Sequence, residues 1–504
     1  MAKAGPVKSR LKRGSASKDE AKAALKSSGR LRKLSESSAR IWNALEGYQR
    51  RAVDLILKRK TVFVLYKQGT GKTWISLSVL AKLAVSSKDA FRAIVVVPLT
   101  NRESTWAKLL AKELPELEVT GDFNLWRKSF VSSVLLVHYE ALPSIIERLR
   151  KVRFMVNVMI YDESQRLKQR TSKTSKMAKR LASIAEHRVA LTGTPIDKDP
   201  LEMYAQFRFL KPELLGTWET FKDRWCIPVP KFEFNKKDLL MVRARKWKEH
   251  MIKFGKPKFD MAKLDEFLEV LAPWSIIQDD SVLKQPDMRE IVSLVDMTPR
   301  QAKLYEDMKK NLVVSIAKGK TVTAAQRGVA LWKLHQIAGG YLIDEEGIVH
   351  RISDAKLEEA LALIPKSQCV IACKYVHEVE DLAWAVAQRK KRVGVLYGRT
   401  KKSVRLEVQN RFQRGELDVV VMQIKTGGVG IDLFAADTII FFSLTHSFID
   451  YDQAKARIRR RGQKHPTRAY LVCSARTIDE TLVAVLRTKR KVTEKVLVNL
   501  VRGS

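Results

Sequence analysis

The apolar run Val62-Phe63-Val64-Leu65-Tyr66 leads almost directly into Gly69-Thr70-Gly71-Lys72-Thr73, and this junction restricts the fold more than any other stretch. A strand feeding a glycine loop that opens a helix aims successive backbone N–H groups at one point, where a chain of phosphates can be held. Lys72 would neutralise the outer phosphates, and the Thr73 hydroxyl would ligate Mg²⁺. Tyr66 stands where the longer form of this loop carries Gly or Ala, so the match is to the shorter Gly-x-Gly-Lys-Thr form.

Compact runs rich in Val, Ile and Leu alternate with helical stretches around this loop: Thr61–Tyr66, Ala93–Pro98, Val134–Tyr139, Val158–Asp162 and Val189–Thr192. A second series follows at Cys369–Cys373, Val393–Tyr397, Val419–Met422, Thr438–Phe442 and Ala469–Val472. Continuous apolar strands separated by helices imply parallel sheets covered on both faces. At 504 residues the chain is too long for one ordinary core, so the pattern predicts an α/β protein of two lobes in tandem. The alternation lapses from about Phe221 to Leu283, where Lys236, Lys237, Arg243, Arg245 and further cations gather around Trp225, Phe232, Phe234, Trp247 and Phe254. This reads as a basic helical insertion. Residues 1–40 mix Lys and Arg with Ala, Ser and Gly and are expected to form a disordered basic tail, because so little apolar surface cannot offset the entropy of ordering it. The expected division is thus a tail over 1–40, a first lobe over 41–220, the insertion over 221–295, a helical linker over 296–350 and a second lobe over 351–504.

A triphosphate site needs acidic groups at a neighbouring strand end, and Val158-Met159-Ile160-Tyr161 ends in Asp162-Glu163. Asp162 would hold the magnesium shell, while Glu163 would orient and deprotonate an attacking water. Acidic pairs commonly end strands. This pair gains its weight from lying a domain-sized distance after the glycine loop.

Charge supplies an independent clue. Lys and Arg number 94 against 55 Asp and Glu, a net +39, which draws in a polyanion, most economically nucleic acid. A generally cationic surface would give the same sum. Cys226, Cys369, Cys373 and Cys473 lack metal-ligand spacing and suit the free thiols of an intracellular protein. No apolar run approaches the roughly 18 residues of a membrane span, and the basic N-terminus lacks the apolar core of a signal peptide.

Further motifs appear in a telling order. Asp162-Glu163-Ser164-Gln165 resembles the DExx box of superfamily-two helicases, and Leu191-Thr192-Gly193-Thr194-Pro195 resembles their third motif in the form typical of Swi/Snf-type DNA translocases. Tyr48-Gln49 is similar to the place where the family carries an adenine-reading glutamine, Val97-Pro98-Leu99 with Trp106 to motif Ia, and His138-Tyr139-Glu140 to motif Ib. In the second series, Lys425-Thr426-Gly427-Gly428-Val429-Gly430-Ile431-Asp432-Leu433 resembles motif V. Gln453-Ala454, Arg457, Arg460 and Gly462-Gln463 keep the spacing of motif VI. The resemblance spans roughly residues 41 to 485. Gln165 and Arg459 replace a frequent His, Asp432 a frequent Asn and Thr426 a frequent Ala. Ile277-Gln278-Asp279-Asp280 stands where many members carry an arginine-rich turn.

The resemblance implies two RecA-like lobes, with ATP and Mg²⁺ as cofactors and DNA as partner. It assigns nucleotide contacts to Tyr48, Gln49, Gln68, Gly69, Thr70, Gly71, Lys72 and Thr73, and in the second lobe to Gly430, Asp432 and Gln453. Mg²⁺ falls to Thr73 and Asp162, and water activation to Glu163. Arg457 and Arg460 would meet the charge of phosphoryl transfer once the lobes close. Thr100, Tyr139, Lys168, Lys374, Lys425, Thr426 and Gly427 become candidates for phosphate contacts that carry no sequence information, with Lys236, Lys237, Arg243 and Arg245 of the insertion beside them. The implied activity is ATP-dependent translocation or helicase action on double-stranded or branched DNA: branch migration, fork remodelling or displacement of bound protein. The implied setting is the cytoplasm or nucleoid of a prokaryotic or phage-infected cell. The chain's end soon after motif VI is expected to leave no room for a bromodomain, chromodomain or nuclease. An RNA helicase and a strand-separating single-stranded DNA helicase remain as alternatives.

Overall fold

A computed structural model describes residues 28–150, 155–228, 257–279, 281–283, 286–317, 324–344, 346–429, 431–460 and 462–502. Contacts divide the chain into two units, Met1–Asp279 with Lys495–Ser504, and Asp280–Glu494.

The first unit is built on seven strands: β1 (Thr61–Tyr66), β2 (Arg92–Val97), β3 (Glu118–Thr120), β4 (Ser133–His138), β5 (Val156–Asp162), β6 (Ala185–Thr192) and β7 (Ser275–Gln278). Their order is β3-β4-β2-β5-β6-β1-β7, with every pair parallel. All six residues of β1 are buried, as expected of a strand covered on both faces. Leu65 pairs with Thr192, and Asp162 with Leu191. This register brings the glycine loop, Asp162-Glu163 and Gly193-Thr194 side by side at the carboxyl ends of the strands.

The second unit holds a parallel sheet of β8 (Met288–Val295), β11 (Cys369–Cys373), β12 (Val393–Leu396), β13 (Val419–Gln423), β14 (Thr438–Phe441) and β15 (Thr467–Ser474). Its order is β12-β13-β11-β14-β15-β8, and a separate hairpin pairs β9 (Tyr341–Ile343) with β10 (Val349–Arg351). All ten strands expected from the sequence form, and Thr61–Tyr66 and Cys369–Cys373 keep their bounds.

Three boundaries differ from expectation. The tail gives way before residue 40, because helix Ser28–Ala44 buries Leu34 and Ile41 and places Arg40 in an ion pair with buried Glu113. Arg30 Nε adds a 2.7 Å bond to the Glu116 carbonyl. The segment 221–295 is divided between the sheets, since β7 joins β1 and β8 joins β15. Lys236, Lys237, Arg243 and Arg245 lie outside the described residues. At the end of the chain, Val496, Leu497 and Leu500 belong to the core of the first unit.

All four cysteines are free and buried, as their apolar surroundings suggest. Among the described residues no helix is long and apolar enough to cross a membrane.

Candidate functional site

Gly69 and Gly71 adopt φ of 83° and 81°, the left-handed region that glycine enters without steric cost. Gly71 caps helix Lys72–Ser86, and a Cβ there would collide with the Gln49 side-chain amide. That amide donates to the Thr70 carbonyl at 2.9 Å, as does the Tyr48 hydroxyl. The Tyr66 hydroxyl donates to the Tyr48 carbonyl at 3.0 Å, and Gln49 Oε1 accepts from the Glu46 N–H at 2.9 Å. Tyr48 and Gln49, expected at the adenine, therefore brace the phosphate loop itself. Lys72 Nζ donates to the carbonyls of Tyr66 and Lys67 at 2.8 and 3.2 Å, so the ammonium is held inside the loop. Thr73 follows it in the first helical turn, half-buried like Gln68. A Cβ at Gly193 would come within 3.1 Å of Gln68 N and Tyr66 O, so a side chain there would press on the loop backbone, which would have to give by a few tenths of an ångström.

Asp162 ends β5 in a buried position. Trp106 Nε1 donates to its Oδ2 at 2.8 Å, and the Tyr139 hydroxyl donates to its carbonyl at 2.7 Å. Burial first, and then the neighbouring Glu163 carboxylate, push the Asp162 pKa up to about 6, while the Trp106 bond and the Lys72 charge pull it down. Glu163 sits at φ 54°, a conformation uncommon outside glycine. Its Oε2 accepts from Gln165 Nε2 at 2.5 Å, Gln165 Oε1 accepts from Thr192 Oγ1 at 2.6 Å, and Thr192 Oγ1 accepts from the Thr194 N–H at 3.0 Å. A second tie runs from Ser164 Oγ to Gln206 at 3.0 Å and from Gln206 Nε2 to the Pro195 carbonyl at 2.8 Å. Gln206 belongs to no local motif, and only the fold brings it here.

These groups fit Mg²⁺. The cation is hard, takes oxygen donors, and is commonly held by one or two carboxylates together with the phosphates and water. Asp162 and Thr73 supply such oxygens, and a carboxylate whose ionisation is opposed by burial gains most from a nearby cation. Among the described residues no cluster of three or more His, Cys, Asp or Glu forms a larger metal site.

In the second unit, Arg457 is 5% exposed and Nη1 donates to the Ile431 carbonyl at 3.3 Å, tying motif VI to motif V. Arg460 is partly exposed and ion-paired with Asp432. Asp432 is positioned in turn by Gln409 Oε1 on its N–H at 3.1 Å and Gln413 Nε2 on its carbonyl at 2.7 Å. Gln453 is buried, and Gln463 Nε2 donates to the Phe434, Ala436 and Ile458 carbonyls. Gly430 lies outside the described residues.

The proposed DNA contacts separate by placement. Tyr139 is buried with its hydroxyl bonded to Asp162, so the structure moves it from the surface to the support of β5. Its polar tip could not show in sequence which way it points. Lys168 pairs with buried Asp197 at 2.8 Å. Thr100 is half-buried, Lys425 is exposed and Thr426 is buried, while Gly427 lies in the 3-10 turn Ile424–Val429. Lys374 Nζ lies 3.4 Å from His335 Nδ1 and 5.0 Å from the Tyr375 ring centroid.

Residues 48–338 match the family model described as SNF2-related domain, and residues 354–462 the one described as Helicase conserved C-terminal domain. The chain is 24% identical over 446 residues to an uncharacterized ATP-dependent helicase of Mycoplasma genitalium, covering 86% of this chain and 40% of that one. It is 23% identical over 455 residues to a putative ATP-dependent helicase/translocase of Bacillus subtilis, covering 85% and 46%. A DNA repair and recombination protein of Saccharomyces cerevisiae is 22% identical, with 88% and 46% covered. The chain thus spans less than half the length of these relatives. A solved Sulfolobus solfataricus SWI2/SNF2 ATPase core in complex with dsDNA is 23% identical, covering 90% of this chain and 92% of that one, with a TM-score of 0.40.

Proposed function

This chain belongs to the SNF2-related family, and on that premise we propose that it is an ATP-dependent DNA translocase acting on double-stranded or branched DNA. The observation that carries the reading is the run of hydrogen bonds from Glu163 through Gln165 and Thr192 to Thr194. It joins the carboxylate suited to activate water to the strand end beside the phosphate loop, as a motor needs if hydrolysis is to be felt elsewhere in the fold. The loop would hold the phosphates of ATP, and Thr73 and Asp162 would hold Mg²⁺, which would supply charge neutralisation for phosphoryl transfer. Lys72 binds the outer phosphates and Glu163 takes the proton of the attacking water. Arg460 meets the developing charge when the lobes close, and closure advances the chain along its track. The net +39 supports a nucleic-acid track, gripped without sequence preference through Lys374, Lys425 and the cations of the 221–295 segment.

The test compares ATPase rates without nucleic acid and with duplex, single-stranded, forked and four-way DNA, and with single-stranded RNA. Strongest stimulation by duplex or branched DNA is expected. Stimulation by RNA alone would overturn the reading in favour of an RNA helicase.

A further inference from the structure

We propose that Trp332 and Tyr375 form a stacking platform for an unpaired base where a DNA strand leaves the duplex, beside a phosphate seat made by Lys374 and Lys425. The proposal rests on the DNA reading above and adds the form of DNA that is preferred. Trp332 lies on helix Ala324–Ala338, three residues from Val329 and from His335, so it neighbours both on the helix surface. His335 is buried in the last turns of the helix, whereas Trp332 is 40% exposed and Val329 is exposed beside it. The indole meets Tyr375 edge-on, with centroids 6.0 Å apart and planes at 80°.

Tyr375 is itself held on two sides. It stacks on His377 at 5.4 Å and 10°, and its hydroxyl is 2.9 Å from His335 Nδ1. The indole therefore has a fixed backing, and a flat partner gains stacking area without ordering the protein first.

The charges lie at the same carboxyl end of the sheet. Lys374 and Tyr375 follow β11, and Lys425 follows its neighbour β13. Lys374 lies over the Tyr375 ring; burial holds its pKa below the ordinary lysine value, the Glu378 and Asp479 carboxylates oppose that, and the charge of Lys425 adds a smaller lowering. Half-buried Lys374 and exposed Lys425 offer two donors for a phosphate, and the adjoining base has the exposed indole to lie on. This pairing of backbone charge with base stacking is how single strands are gripped without sequence preference. An acidic peptide would satisfy the lysines but has no use for the flat indole.

The experiment measures the affinity of the full chain for a fork with single-stranded arms and for a blunt duplex of equal length, at two salt concentrations. Trp332→Leu keeps an apolar side chain without a flat ring, and Trp332→Phe keeps a ring. The Leu variant is expected to bind the fork about tenfold or more weakly, to bind the blunt duplex within twofold of the parent, and to leave the salt dependence unchanged. The Phe variant should recover most of the loss. Equal loss on both DNAs, no loss on the fork, or a Phe variant as weak as the Leu variant would overturn the platform. A parent that binds neither DNA would instead overturn the motor reading, and the platform with it.

Discussion

Gln165 Nε2 donates to Glu163 Oε2 at 2.5 Å while Gln165 Oε1 accepts from Thr192 at 2.6 Å. One amide thus orients the carboxylate assigned to water activation and reports to the strand beside it. Many relatives are expected to carry histidine at this place. The amide performs the same bridging without a titrating ring, so its contribution should not change with pH near neutrality.

The first prediction follows from that bridge. Gln165→Ala frees the Glu163 carboxylate to leave its position, and misplacement of a reacting group by about 1 Å can lower a rate by roughly a hundredfold. DNA-stimulated ATPase should fall at least tenfold, while nucleotide affinity, measured by a fluorescent analogue, stays within a few-fold. Parent-like hydrolysis in this variant would separate Gln165 from the chemistry.

A second prediction concerns Asp162. Its pKa, raised from 3.8 to about 6 mainly by burial, means that the folded chain holds this proton more tightly than the unfolded chain does. Its contribution to stability is therefore full below pH 3.8 and is lost as pH rises through about 6. Without Mg²⁺, Asp162→Asn should raise the melting temperature at pH 7.5 and have less effect at pH 5. It should also abolish hydrolysis. Because proton and Mg²⁺ compete for the carboxylate, the acid limb of the ATPase profile should move to lower pH as Mg²⁺ is raised. A limb that stays in place across Mg²⁺ concentrations would place the titration elsewhere.

The two arginines of motif VI should behave differently. Arg457 is buried with its guanidinium on the Ile431 carbonyl, whereas Arg460 is partly exposed and paired with Asp432. Arg460→Ala should lose most ATPase activity while keeping its melting temperature and DNA affinity. Arg457→Ala should also lose activity but unfold more easily, by about 1–3 kcal/mol. Equal activity in parent and Arg460→Ala, with weakened DNA affinity, would return Arg460 to a basic surface role.

What the sequence shows and what it hides have physical reasons. β1 and β11 are continuous apolar runs buried along their length, so composition alone reveals them. β3 is three residues, the first exposed and the others half-buried, at a sheet edge, and β8 alternates mostly between exposed and half-buried positions at the other sheet's edge. Neither has the apolar continuity of an interior strand. Helix Ser28–Ala44 is mostly polar, and its buried Leu34 and Ile41, seven residues apart, are easily lost among lysines and arginines. The phosphate loop and Asp162-Glu163 are visible because their chemistry is local. The Trp106 and Tyr139 bonds to Asp162, and the Gln206 tie, depend on which residues the register of β2, β4 and β5 brings together.

The most direct test of a DNA-tracking motor is displacement of a third strand from a triplex placed along duplex tracks of increasing length. The parent should displace it only with ATP and Mg²⁺, with a lag that lengthens with the track. Lys72→Ala should fail for want of phosphate neutralisation, and Glu163→Gln should fail while still binding ATP. Vigorous DNA-stimulated hydrolysis without displacement on any track, or displacement by Glu163→Gln equal to that of the parent, would contradict translocation driven by this site.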